Sequence, residues 1–186
     1  MQSYYAMTIA GKNRALPLFP VNDKIQIAAF IMLGDVEITT ACAEALSKKL
    51  PDFDIILTAE AKGIPLAHEL ARITEHPYEV ARKSPKVYMR NIVSAEVDSI
   101  TTAGKQKLFL GEDAASKLKD RNVLIVDDVI STGQSLAALE KLVSLCGGNI
   151  CGKAAVLAEG KAADRDDIIF LERLPLFNAD GKPLDA

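Results

Sequence analysis

Asp127 and Asp128 stand side by side between two apolar runs, residues 123–126 and Val129-Ile130, and a small hydroxyl-rich turn follows at Ser131-Thr132-Gly133-Gln134-Ser135. The first apolar run predicts a buried strand, and the turn opens onto a helical pattern. Loop amides ahead of a helix start form a natural anion site. A glycine among them permits a conformation or a close approach that a Cβ would block. Two adjacent carboxylates are costly to hold together unless a sugar diol, a cation or solvent satisfies them. A ligand carrying both a phosphate and a diol would suit this segment. The plainer alternative is a buried strand followed by a solvated loop.

The surrounding elements must bring this loop to the carboxyl end of a sheet, where open parallel folds bind ligands. Residues 4–32 are short apolar stretches broken by Gly11, Pro17, Pro20 and Asn22-Asp23, which predicts a small hairpin-rich lobe with residues 25–32 as its best strand. Asp35 caps a helix with an acidic first turn that runs to about Leu50-Pro51. Residues 54–58 form a buried strand, Glu60-Ala61-Lys62-Gly63 its polar exit, residues 64–73 a helix and residues 78–81 a short strand. Residues 83–106 lack clean periodicity and suggest a long two-stranded excursion or a mobile loop. A short helix over 113–119, the strand at 122–126, a helix over 134–145 stopped by Gly147-Gly148, and a strand at 153–158 follow. Residues 160–186 are expected to fold back on the N-terminal lobe. Strands alternating with helices predict an α/β, doubly wound parallel sheet.

Composition narrows the function classes. A chain of 186 residues, 49% apolar and 25% charged, is ordinary for one soluble domain. No apolar run approaches a membrane span, and the N-terminus lacks the basic-then-apolar pattern of a signal peptide. The net charge of −3 argues against electrostatic binding of nucleic acid. Cys42, Cys146 and Cys151 have no metal spacing and predict reduced thiols in a cytoplasmic protein, and His68 and His76 have no partner at zinc spacing.

The segment from Val123 to Ser135 resembles the phosphoribosyl pyrophosphate (PRPP) signature of type I phosphoribosyltransferases. Glu60-Ala61-Lys62-Gly63 resembles that family's pyrophosphate loop, with Lys62 where adenine-specific members often carry an arginine, and Arg82-Lys83 fits the next strand exit. The resemblance covers about residues 35–160 and matches best the adenine and bacterial xanthine branch. It implies a five-stranded parallel core over about residues 35–160, a base-holding hood from about 1–34 and 160–186, a single domain and a homodimer.

The resemblance also implies roles. Ser131, Thr132, Gly133, Gln134 and Ser135 would cradle the 5′-phosphate. Asp127 and Asp128 would accept from the ribose hydroxyls, directly or through Mg²⁺ held mainly by PRPP and water. Ala61, Lys62, Gly63, Arg82, Lys83 and Lys86 would meet the pyrophosphate. Arg82 or Lys83 could instead contact a dimer partner; the plainer readings are a solvated Lys62, Arg82 and Lys83 paired with surface acids, and Glu60 as a loop anchor. Lys105, Lys107, Lys117 and Lys119 read as solvated charges.

Two departures bear on the base. Adenine-specific members usually carry Glu-Tyr-Gly in the catalytic loop, where an ungapped reading gives Ser99-Ile100-Thr101 here; Glu96 and Asp98 lie nearby as possible carboxylates. Glu159 stands at a strand exit where the xanthine branch has a lysine. A carboxylate accepts, which suits the amino group of adenine or guanine. Alternatively, Glu159 faces solvent or pairs with Lys161 or Arg165. The expectation is therefore a purine phosphoribosyltransferase, adenine favoured, with a xanthine-type enzyme or a non-catalytic PRPP-sensing regulator as alternatives. An orotate-type enzyme would have a lysine-rich loop that residues 90–102 lack, and a hypoxanthine-type one usually has Glu-Asp in place of Asp127-Asp128.

Overall fold

The computed structural model describes residues 3–97 and 106–184. Its first strands, β1 (Tyr4–Ile9), β2 (Lys12–Pro20) and β3 (Ile25–Ala28), form an antiparallel meander. A tight turn at Ala10-Gly11, with φ of 49° and 75°, joins β1 to β2. The third strand is shorter than the sequence suggests. Beyond Ala28 the alternation persists without a partner strand: Phe30 and Met32 enter the core while Ile31 and Leu33 stay exposed.

Helix α1 (Val36–Ser47) begins where Asp35 accepts a hydrogen bond from the Ile38 amide at 3.1 Å. Then come β4 (Ile55–Ala59), α2 (Ile64–Thr74), β5 (Tyr78–Ala81), the antiparallel pair β6 (Val93–Val97) and β7 (Gln106–Leu110), and α3 (Glu112–Leu118). The excursion after residue 83 is thus two-stranded. The chain continues through β8 (Asn122–Ile130), α4 (Gln134–Leu145), β9 (Asn149–Glu159), a 3-10 turn at Gly160–Asp164, β10 (Ile169–Leu174) and β11 (Phe177–Asn178). After residue 160 the chain divides its contribution. The tenth strand forms an edge of the main sheet, and β11 reaches back to pair with β3.

The main sheet has five parallel strands in the order β10-β9-β8-β4-β5. From β4 the chain proceeds outward to β5, whereas from β8 it proceeds outward to β9 and β10. The boundary between β4 and β8 is therefore the topological switch point, and the loops leaving the two strands diverge around a crevice.

The central strands are apolar on both faces, as a sheet covered on both sides requires. Ile56, Leu124 and Val126 pack with Ile38, Leu46, Leu66 and Leu70 of α1 and α2. Ile55, Leu57, Val123 and Ile125 pack with Leu139, Leu142 and Val143 of α4, and with Ala95 and Leu108 of the β6–β7 hairpin. The apolar run carries the core, so the polar residues at its end can carry chemistry. Among the described residues, no helix is long and apolar enough to cross a membrane.

Candidate active site

The eighth strand runs on past residue 126, through the acidic pair to Ile130. Val129 and Ile130 continue the ladder opposite Leu157 and Ala158 of β9, so Asp127 and Asp128 lie within the strand rather than in its exit loop. Successive strand residues point to opposite faces, which eases the crowding of two adjacent carboxylates. Asp127 Oδ1 accepts from the Asp128 amide at 2.9 Å. Asp128 is only 3% exposed, and Asp127 keeps some accessible surface although protein surrounds most of it. Burial, then the neighbouring Asp128 charge, raises the Asp127 carboxyl well above the ordinary aspartate range; Lys62 partly opposes this.

Lys62 is half-exposed and places its Nζ 3.0 Å from Asp128 Oδ2. The contact is an ion pair without good hydrogen-bond geometry, so that buried oxygen still lacks a hydrogen-bond partner, as does the buried Thr58 Oγ1. Gly63 lets its loop press against Thr58 and Asp127: a Cβ there would come within 2.5 Å of Thr58 Oγ1 and 3.1 Å of Asp127 Oδ1. The same glycine precedes α2, and Ala61 lies in the turn before it.

Residues 131–135 turn from β8 into α4. They line a small pocket of about 100 Å³ together with Asp127. Gly133 caps α4 with φ of +79°, a left-handed conformation that residues with a Cβ rarely adopt. Glu159, the last residue of β9, is 8% exposed and accepts a hydrogen bond from the Ser131 side chain. Burial raises its pKa, while Ser131 and the Lys62 charge pull the other way. It therefore neither faces solvent nor pairs with Lys161 or Arg165. The structure brings Lys62, Asp127, Asp128, Ser131 and Glu159 to one end of the sheet.

The next strand exit forms a neighbouring cluster. Glu60 accepts from the Lys83 amide at 3.0 Å and lies 3.9 Å from Arg82 Nη2, so it anchors the loop as one of the sequence readings had it. These contacts, the Lys83 amide first, hold the Glu60 carboxyl below its ordinary range. Arg82 also joins Phe109 through two backbone hydrogen bonds of 2.9 Å, and its Nε is buried with no hydrogen-bond partner. Lys83 is exposed, and Lys86 Nζ rests on Ser84 Oγ at 3.1 Å. A larger cleft of about 650 Å³ opens beside Arg82, Tyr88 and Leu110, but none of Asp127, Asp128 or residues 131–135 lines it.

Glu96 lies on the hairpin, on the face opposite Val93, Ala95 and Val97, with Lys107 at 3.9 Å. Asp98, Ser99-Ile100-Thr101 and Lys105 lie outside the described residues. Lys117 is paired with Glu79 rather than simply solvated. Among the described residues no three His, Cys, Asp or Glu side chains converge on a possible metal position.

One neighbour of the turn escaped the sequence reading. Arg165 Nη1 lies 3.2 Å from where a Gly133 Cβ would stand, and its remaining nitrogens pair with Asp167. Only the short spacing of Arg165 and Asp167 hinted at that pair, and nothing local tied it to residue 133.

Residues 35–176 match the family described as Phosphoribosyl transferase domain. The chain belongs to the phosphoribosyl transferase family. A hypoxanthine/guanine phosphoribosyltransferase of Methanocella arvoryzae is 33% identical over 77% of this chain and 69% of its own length. An adenine phosphoribosyltransferase of Ruminiclostridium cellulolyticum is 32% identical over 78% of this chain and 84% of its own. The chain spans little more than half the length of two further hypoxanthine/guanine phosphoribosyltransferases, of Methanothrix thermoacetophila and Methanosarcina acetivorans. The crystal structure of adenine phosphoribosyltransferase from Thermoanaerobacter pseudethanolicus matches with a TM-score of 0.66 and 29% identity, covering 76% of this chain and 84% of that one. The five-stranded parallel sheet is that of this phosphoribosyl transferase fold.

Proposed function

We propose that the protein is a purine phosphoribosyltransferase: it moves phosphoribose from PRPP to a free purine, adenine favoured, and releases pyrophosphate. The carrying observation is the meeting of Asp127-Asp128, Lys62, the Ser131–Ser135 turn and Glu159 at one switch point.

In this reading the amides and hydroxyls of residues 131–135 hold the 5′-phosphate at the α4 N-terminus. Asp127 and Asp128 accept from the ribose hydroxyls, and their charge favours the oxocarbenium-like ribose as the glycosidic bond breaks. Ala61, Lys62 and Gly63 line the pyrophosphate, with Arg82, Lys83 and Lys86 on its far side. N9 of the base attacks C1′ as pyrophosphate leaves, and Glu96, Asp98 or Glu159 handles the base proton. Asp128 Oδ2, which faces Lys62 but lacks a hydrogen-bond partner, suits a hydrated Mg²⁺ that would neutralise the leaving group when bound with PRPP. A homodimer and a cytoplasmic setting complete the reading; exposed Val87, Tyr88 and Ile92 beside the cleft at edge strand β5 support self-association.

Glu159 supports adenine, because a buried acceptor meets an amino group better than an oxo group. Guanine also carries an amino group, and relatives named for hypoxanthine and guanine keep that base as a second reading. The test is product formation from Mg²⁺-PRPP with adenine, guanine, hypoxanthine, xanthine and orotate in parallel. AMP as the sole strong product is expected. GMP and IMP instead would move the assignment to the second reading, and XMP would contradict the role given to Glu159. No product from any base, with PRPP still bound, would indicate a ligand-sensing regulator.

A further inference from the structure

The Ser131–Ser135 turn contains no Lys or Arg; of the charged groups near it in the site, Asp127 and Glu159 are acidic and Lys62 is engaged with Asp128. A phosphate held there by amides and hydroxyls alone would lack a countercharge. Arg165, in the connection between β9 and β10, lies against the turn at Gly133. Its Nη1 is 3.2 Å from the position a Gly133 Cβ would take. The missing side chain at Gly133 is thus both a backbone requirement and the space the guanidinium uses.

The guanidinium is held in place. Its Nε and Nη2 donate to the two oxygens of Asp167, both at 2.8 Å. Asp167 also accepts from Lys153 at 2.6 Å, and Lys153 pairs with Glu140 of α4, again at 2.6 Å. The chain of ion pairs fixes the guanidinium relative to the helix whose N-terminus forms the turn. A forked guanidinium that spends two nitrogens on a carboxylate keeps the protons of the third for another acceptor.

We propose that Arg165 is a phosphate-binding residue whose Nη1 closes the Ser131–Ser135 cradle and supplies the positive charge that the turn lacks. The assignment rests on the reading of this turn as a 5′-phosphate site. Asp167 acts through Arg165 and is a positioning residue.

The test measures binding of ribose 5-phosphate and of inorganic pyrophosphate, with Mg²⁺, to the wild type and to Arg165→Gln, Arg165→Lys and Asp167→Asn. Arg165→Gln should weaken ribose 5-phosphate at least tenfold and leave pyrophosphate within twofold. Arg165→Lys should recover part of the loss, and Asp167→Asn should give an intermediate loss at an unchanged melting temperature. Equal ribose 5-phosphate affinity in Arg165→Gln and wild type would overturn the proposal, as would parallel loss of both ligands. A wild type that binds neither ribose 5-phosphate nor PRPP would overturn the phosphate reading itself, and this assignment with it.

Discussion

The two loops at the switch point, residues 60–63 after β4 and residues 131–135 after β8, handle charge in opposite ways. The first carries Glu60 and Lys62, and both are satisfied within the protein: Glu60 by the Lys83 amide and Arg82, Lys62 by Asp128. The second carries no charged side chain and offers a small pocket at a helix N-terminus, entered through a left-handed glycine. A ligand at residues 131–135 meets a cradle that is already shaped, whereas a ligand at residues 60–63 must draw Lys62 from its ion pair. Preorganisation lowers the cost of binding, so the first group to dock should be the one held by residues 131–135.

The two loops should differ most in their response to loss of Lys62. Lys62→Met removes the cation of the 60–63 side and leaves the buried Asp128 without its countercharge. Turnover and pyrophosphate affinity should fall roughly 10- to 100-fold, the size expected for a lost charge-assisted contact, while ribose 5-phosphate affinity changes little. Kinetics beside binding of the two ligands checks this. An equal fall for both ligands would mean that the loops do not act separately.

A smaller effect sharpens the electrostatic side. Burial and Asp128 raise the Asp127 carboxyl above its unfolded value of about 3.9. The folded protein therefore holds this proton more tightly than the unfolded chain. The associated stability is complete below the unfolded pKa and is lost as pH rises through the raised folded value. Unliganded Asp127→Asn should be more stable than wild type at pH 8, by about 1 kcal/mol, with the gap closing near pH 4. Chemical denaturation at the two pH values decides it, and an unchanged gap would contradict the stated cause.

The sequence reveals the site wherever local pattern and chemistry coincide. The run from Val123 to Ser135 shows strand, turn and helix start in order, and Glu60–Gly63 is legible as a polar exit before a helix. The strand continues through Asp127 and Asp128 because β9 offers Leu157 and Ala158 as partners, a pairing that local pattern does not contain. The Ser131–Glu159 contact depends on the two strands ending level, and Arg165 reaches Gly133 only because the β9–β10 connection folds over that end of the sheet. Phe177, fully buried and paired opposite Gln26, joins residues some 150 positions apart. Such contacts are set by sheet order rather than by neighbours in the chain.

In the proposed function the acidic pair at the end of β8 serves a PRPP-dependent transfer. The most direct measurement is product formation from Mg²⁺-PRPP and the best base for wild type and for Asp127→Asn with Asp128→Asn, alongside circular dichroism of both proteins. Loss of turnover in the double variant with an unaltered spectrum is the predicted result. Wild-type turnover in the double variant would contradict the account.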